Sequence, residues 1–176
     1  MAITTANILL GSGTFSWYGL NITDTPTTGW HDVGGFRDGV TMAFEEDQVL
    51  VEGQAGGAVK ALRGRMGITV TTNLLESTLD SLMVSLYGSG TNTDVVTANT
   101  SIEFLVADPV PVPIKFVAAS ALAADGLVTY NFSSAVPQLG QDVSYTKDAE
   151  TIFPVTFTCL AIASGANWGF GKVTDT

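Results

Sequence analysis

From Val40 to Glu45 apolar and polar positions alternate strictly, with Val40, Met42 and Phe44 on one face and Thr41, Ala43 and Glu45 on the other. That period predicts a strand entering a long hairpin. The acidic run Glu45-Glu46-Asp47 shifts the register, and Val49 and Val51 resume the alternation beyond it, as a charged turn or bulge would produce. Gln54-Ala55-Gly56-Gly57-Ala58 reads as a flexible break, and the stretch after it, Val59 to Arg65, holds Lys60, Arg63 and Arg65. Ile68, Val70 and Leu74 then alternate with Thr69, Thr71 and Asn73, which predicts a half-buried strand.

The period changes next. Leu75, Leu79, Leu82, Met83 and Leu86 fall at helical spacing, Ser77-Thr78-Leu79-Asp80 offers a start resembling a capping box, and Gly88 a stop. A helix over about residues 77–87 is expected. About three turns are too short to stand alone in water, so an apolar stripe of Leu79, Leu82 and Leu86 is expected to dock on the sheet.

Ahead of the hairpin, residues 1–36 lack Lys and Arg and are interrupted by Gly11, Gly13, Gly19, Pro26 and Gly29. They read as an N-terminal arm with one strand, near Phe15 to Ile22, and a turn at Trp30 to Phe36. Beyond the helix, strands are expected at Ile102 to Ala107, Val110 to Ala118, Leu127 to Phe132 and Ile152 to Ile162. Pro109, Pro111 and Pro113 confine the second of these to an edge, or to a rigid extended link at its start. Val155, Phe157 and Cys159 alternate with Thr156 and Thr158 in the last, and residues 163–176 read as a Gly-rich tail carrying Trp168 and Phe170. Seven or so strands with one helix, and no repeat or linker, predict a mainly β single domain over residues 1–176. Its architecture is a β-sandwich or barrel with a long hairpin and extended terminal arms.

Composition narrows the function. Charged residues are 14% of the 176, well below the usual share of roughly 25%. Thr, Ser and Gly take their place, leaving a neutral exterior suited to burial in an assembly. With 17 Asp+Glu against 7 Lys+Arg the net charge is −10, which argues against a grip on nucleic acid or an anionic membrane. The first residues carry no positive n-region and only a short apolar run, Ile8 to Leu10, so no signal peptide is expected and the mature chain is expected to start here. No run of 18 apolar residues predicts a membrane span. The Asn-x-Ser/Thr triplets at Asn21, Asn99 and Asn131 matter only in a secretory context.

Candidate chemistry is sparse. Cys159 is the one cysteine, which excludes an intrachain disulfide or a multi-thiolate zinc site. His31 is the one histidine, and beside Trp30 in a turn its role reads as structural. Gly165-x-x-x-Gly169-x-Gly171-Lys172 superficially evokes a phosphate loop, but the spacing is wrong and Val follows the lysine. Glu45, Glu46 and Asp47 are adjacent in a strand and point to opposite faces, so they are not expected to converge on a cation. Cys159 reads as a small core hydrophobe. No enzyme, cofactor or metal site is expected.

A longer pattern then comes into view. Asp32-Val33-Gly34-Gly35-Phe36-Arg37-Asp38-Gly39-Val40 leads through Glu45 to Val51 and Lys60 to Arg65 into Met66-Gly67-Ile68-Thr69-Val70-Thr71-Thr72-Asn73-Leu74-Leu75-Glu76. Ser77-Thr78-Leu79-Asp80-Ser81-Leu82 follows, and much later Phe153-Pro154-Val155-Thr156-Phe157 closes the pattern. In this order, over about two thirds of the chain, the motifs resemble those of the tail tube (major tail) proteins of long-tailed bacteriophages. The resemblance implies a β-sandwich with one flanking helix, assembled into homo-hexameric rings that stack into the tube. DNA passes through without specific binding, and no membrane is involved. It also implies tape measure, tail terminator and distal tail or baseplate proteins as partners, a virion location and assembly in the host cytoplasm.

On that reading Glu45, Glu46, Asp47 and Glu52 are candidates for the lumen wall, where acidity would repel duplex DNA; the outer wall is the alternative. Lys60, Arg63 and Arg65 are subunit-interface candidates, meeting the acidic set either across the hairpin or between subunits. A secreted or virion-surface β-sandwich that binds a ligand or carbohydrate would share the composition and is the competing class.

Overall fold

The computed structural model describes residues 8–10, 13–20, 27–52, 58–75, 78–88, 96–97, 101–104, 108–119, 127–138, 153–164 and 167–175. The strands in chain order begin with β1 (Ile8–Leu10), β2 (Gly13–Leu20), β3 (Thr28–Glu52) and β4 (Ala58–Leu74). After the helix α1 (Leu79–Tyr87) come β5 (Val96–Thr97), β6 (Ser101–Ile102), β7 (Val112–Ala119) and β8 (Leu127–Pro137). The chain ends with β9 (Phe153–Cys159), β10 (Ile162–Ser164), β11 (Asn167–Gly169) and β12 (Gly171–Asp175). The protein is mainly β, with one short helix among the described residues.

β3 belongs to two ladders, and that closes the sheet. Residues 28–35 pair with β2 and residues 36–52 with β4, while the remaining path runs β2-β7-β8-β9-β4, so six antiparallel strands return to their start. β1 extends the sheet along β3 at residues 40–42, and β12 extends it along β8. Two glycines bend β3 from one ladder to the other. Gly34 (φ 91) lies at a register shift against β2, where its N–H donates to the Asp32 carboxylate at 3.2 Å; Gly39 (φ 81) lies at a shift against β4, where its carbonyl accepts from Thr72 Oγ1. A side chain at either φ would be strained, which is why glycine stands there.

The turn expected at Trp30 to Phe36 is therefore strand, bent by a bulge. The stretch holding Pro113 is also corrected: β7 is an interior strand between β2 and β8, because Pro113 sits where the β8 register shifts and needs no ladder donor. The described terminal segments are not extended arms either. β1 and β2 lie in the sheet, β10 and β11 form a small hairpin, and β12 pairs with β8 from Gly171↔Phe132 to Asp175↔Val128. In the expected Ile102 to Ala107 strand only the Ser101–Ile102 bridge to β5 is found, and residues 105–107 lie outside the described residues.

Inward positions alternate as a closed sheet requires: Val112, Ile114, Phe116 and Ala118 on β7, and Phe153, Val155, Phe157 and Cys159 on β9, are buried. Phe15 stacks on Phe116 (centroids 4.9 Å apart) and tilts against Phe157, and Phe36 meets Phe116 edge-on. Thr71 and Thr156, opposite one another on β4 and β9, bring their hydroxyls to 3.3 Å.

α1 covers one end of this core. Thr78 caps it, its hydroxyl accepting from the Ser81 N–H at 3.1 Å; Gly88, at φ 88, ends it and donates to the Met83 carbonyl. A Cβ at Gly88 would lie 2.0 Å from the Val110 carbonyl oxygen, which itself allows only glycine there. The docking stripe differs from the expectation. Met83, Val84 and Tyr87 are buried with Ser81, whereas Leu79 is 44% exposed and Leu82 and Leu86 are half-buried. The Tyr87 hydroxyl donates to the Glu103 carbonyl at the far end of the helix.

Candidate functional site: the projecting ribbon

Beyond Met42 on β3 and Ile68 on β4, the two strands leave the closed sheet and pair, among the described residues, with each other alone. The result, among the described residues, is a two-stranded ribbon with neither outer edge paired. Its side chains are apolar on both faces: Val49 stands opposite Leu62 on one face and Leu50 opposite Ala61 on the other. Val49 is 56% exposed and Leu50 58%, and Val51, Leu62 and Met66 are exposed too. A monomer rarely leaves such a ribbon in water.

The expected bulge at the acidic run is present. Glu46 pairs with Met66 and Gln48 with Arg63, so Gly64 and Arg65 both stand opposite Asp47. Glycine suits position 64 because a Cβ there would come within 3.0 Å of the Asp47 carbonyl oxygen. Glu45, Glu46, Asp47 and Arg65 all help wall one groove of about 310 Å³ at the ribbon base. Among the described residues no cluster of three or more His, Cys, Asp or Glu is arranged to hold a metal ion. Lys60 and Arg65 are exposed on β4; the side chains of Arg63 and Glu52 lie outside the described set.

A second, mainly apolar hollow of about 320 Å³ adjoins the first, walled by Phe44, Met66, Phe132 and Val173, and Phe170 borders both. Cys159 opens toward the acidic groove from the core side, and burial pushes its thiol up from 9.0 to about 12. Native protein at pH 8 should thus resist alkylation that the unfolded chain accepts, a difference thiol titration reads directly. The sign of the linkage follows: the neutral thiol favours the fold fully below pH 9.0, and stability falls between pH 9.0 and 12 as the unfolded thiol ionises first. The slope from this group is at most about 1.4 kcal/mol per pH unit.

The other candidates resolve into structural roles. His31 Nε2 lies 3.0 Å from the carbonyls of both Gly19 and Thr27, to which it donates, and its ring tilts against Trp17. It ties the ends of β2 and β3 together. Gly169, Gly171 and Lys172 lie in β11 and β12, a strand context with no helix N-terminus to receive a phosphate. Sequence reading missed one surface feature: Tyr18 and Trp30, paired on β2 and β3, meet edge-on, and Lys115 Nζ sits 4.7 Å over the Trp30 ring. Only the cross-strand register brings these three together.

No helix among the described residues is long and apolar enough to cross a membrane. No protein-family model matches the chain, and no curated protein matches it in sequence.

Proposed function

We propose that this chain is the structural subunit of a phage tail tube, self-assembling into stacked hexameric rings that form the conduit for DNA ejection. The observation that carries the reading is the ribbon: two strands that overshoot the closed sheet, apolar on both faces and, among the described residues, unpaired along both edges. Ribbons of neighbouring copies, laid side by side, would satisfy the open backbone groups and cover the exposed Val49, Leu50, Val51 and Leu62. Closed into a ring they make an inner wall with no free edge. The motif order that resembles tail tube proteins supports the same reading, as does the scarcity of charge over the whole chain.

In such a tube Glu45, Glu46, Asp47 and Glu52 belong on or near the bore. Duplex DNA carries one negative charge per ~1.7 Å, and attraction repeated in every ring would hold it fast, so an acidic or neutral wall is required. The tape measure, terminator and distal tail or baseplate proteins would be the further partners, in a virion assembled in the host cytoplasm.

Negative-stain electron microscopy tests this. The native chain should yield tubes or six-fold rings, and Val49→Lys with Leu62→Lys, which sets like charges opposite one another on the ribbon, should abolish them while the melting transition persists. Compact monomer at every concentration, or unimpaired assembly of the variant, would refute the proposal.

A further inference from the structure

We infer that the two outer edges of the ribbon recognise each other head to tail, the acidic β3 edge of one copy against the basic β4 edge of the next. Copies then join in a single direction. The observation behind this is a complete separation of charge between the two strands. From residue 45 to 52, β3 carries Glu45, Glu46, Asp47 and Glu52 and no cation; from 58 to 67, β4 carries Lys60, Arg63 and Arg65 and no anion. Three of the chain's seven cationic residues are thus concentrated on one of its two projecting edges.

Across the hairpin ladder most of these charges stand opposite uncharged residues. Glu45 stands opposite Gly67, Glu46 opposite Met66, Lys60 opposite Val51 and Arg63 opposite Gln48. Only at the bulge does a base, Arg65, stand opposite an acid, Asp47. A second copy offers three ways of extending the ribbon. Joining β3 to β3 sets four acids against four, joining β4 to β4 sets three bases against three, and like charges across a ladder destabilise it. Joining β3 to β4 opposes the two signs and continues the antiparallel order of the hairpin.

The same charges therefore favour one contact and penalise the other two, which is how an interface excludes wrong partners. A head-to-tail contact also has a geometric consequence. It is heterologous, so repetition generates a closed ring or an open filament and never stops at a two-fold dimer. The inference rests on the proposed tube only for the closure into rings; the direction of joining follows from the ribbon.

Two half-swapped chains test it, one carrying Glu45→Lys, Glu46→Lys, Asp47→Lys and Glu52→Lys, the other Lys60→Glu, Arg63→Glu and Arg65→Glu. Each has both edges of one sign. Alone, neither should assemble; mixed one to one they should, and so should a single chain carrying both sets. Thermal melting of each chain separates failed assembly from failed folding. Crosslinking supplies a readout free of charge changes: Gln48→Cys and Ala61→Cys chains, treated with a short bis-maleimide, should give about tenfold more dimer mixed than either gives alone. The native chain, with Cys159 buried, is the blank. Half-swaps that assemble as the native chain does, or same-edge crosslinks equal to those of the mixture, would overturn the inference and leave the tube standing. A native chain that neither assembles nor lets the mixed chains crosslink would remove both.

Discussion

Phe116→Ala should lower the free energy of unfolding by about 3–5 kcal/mol, the range for removing a buried aromatic side chain and leaving its cavity. Phe116 lies mid-way along β7, with a ladder to β2 on one side and to β8 on the other. Its ring is fully buried, stacked on Phe15 at 4.9 Å and met edge-on by Phe36 at 6.3 Å. Both neighbours hang from strands fixed at each edge, so little collapse into the cavity is open to them. Urea unfolding reads the effect as a shift in midpoint at nearly constant slope. A loss under about 1 kcal/mol would mean that the closed sheet does not pack around this ring.

The strands were legible wherever one face is wet. Val40 to Phe44 and Ile68 to Leu74 alternate because polar Thr residues fill the outward positions, and both stretches are strands in one long hairpin. The bulge at the acidic run was legible for the same reason: a slip in a period of two is visible in the sequence. Other features were hidden by long-range register. Trp30 to Phe36 holds two adjacent glycines and reads as a turn, yet β2 pairs alongside it and turns it into a bent strand. Pro113 reads as an edge signal until a register shift supplies a place where its missing N–H costs nothing.

The candidate site divides along the same line. Charge separation between the two halves of the hairpin can be read from residues 45–52 and 58–67 alone, because strand and turn are local. That Glu45, Glu46, Asp47 and Arg65 border one groove cannot, since Thr158 to Ala161, which line it too, are brought there by the long-range ladder between β4 and β9. Exposure of Val49, Leu50 and Leu62 was equally out of reach. Alternation shows that a strand has two faces but not what packs on them, and Val49, Leu50 and Leu62 are exposed because the ribbon runs on past the ends of the β1 and β9 ladders.

Met83→Ala should cost about 2–5 kcal/mol, while Leu79→Ala should stay within about 0.5 kcal/mol of the native chain. Helical spacing alone ranks the two the other way, since Leu79 falls on the leucine stripe of Leu82 and Leu86. The packed face decides against it. Thr78 takes the Ser81 N–H, the helix begins at Leu79, and its first apolar side chain is left 44% exposed. Met83 and Val84, one turn further, are wholly buried and belong to the cluster that includes Phe153 and Val155 on β9. Leu82, half-buried against the same cluster, should fall between the two. Nine residues of helix contribute little stability of their own in water. Loss of the Met83 contact should therefore release the helix from the sheet, and protection of its amides against hydrogen exchange should drop before the β-sheet melts. Equal losses for Leu79 and Met83 would mean a helix rotated so that the leucines face the core.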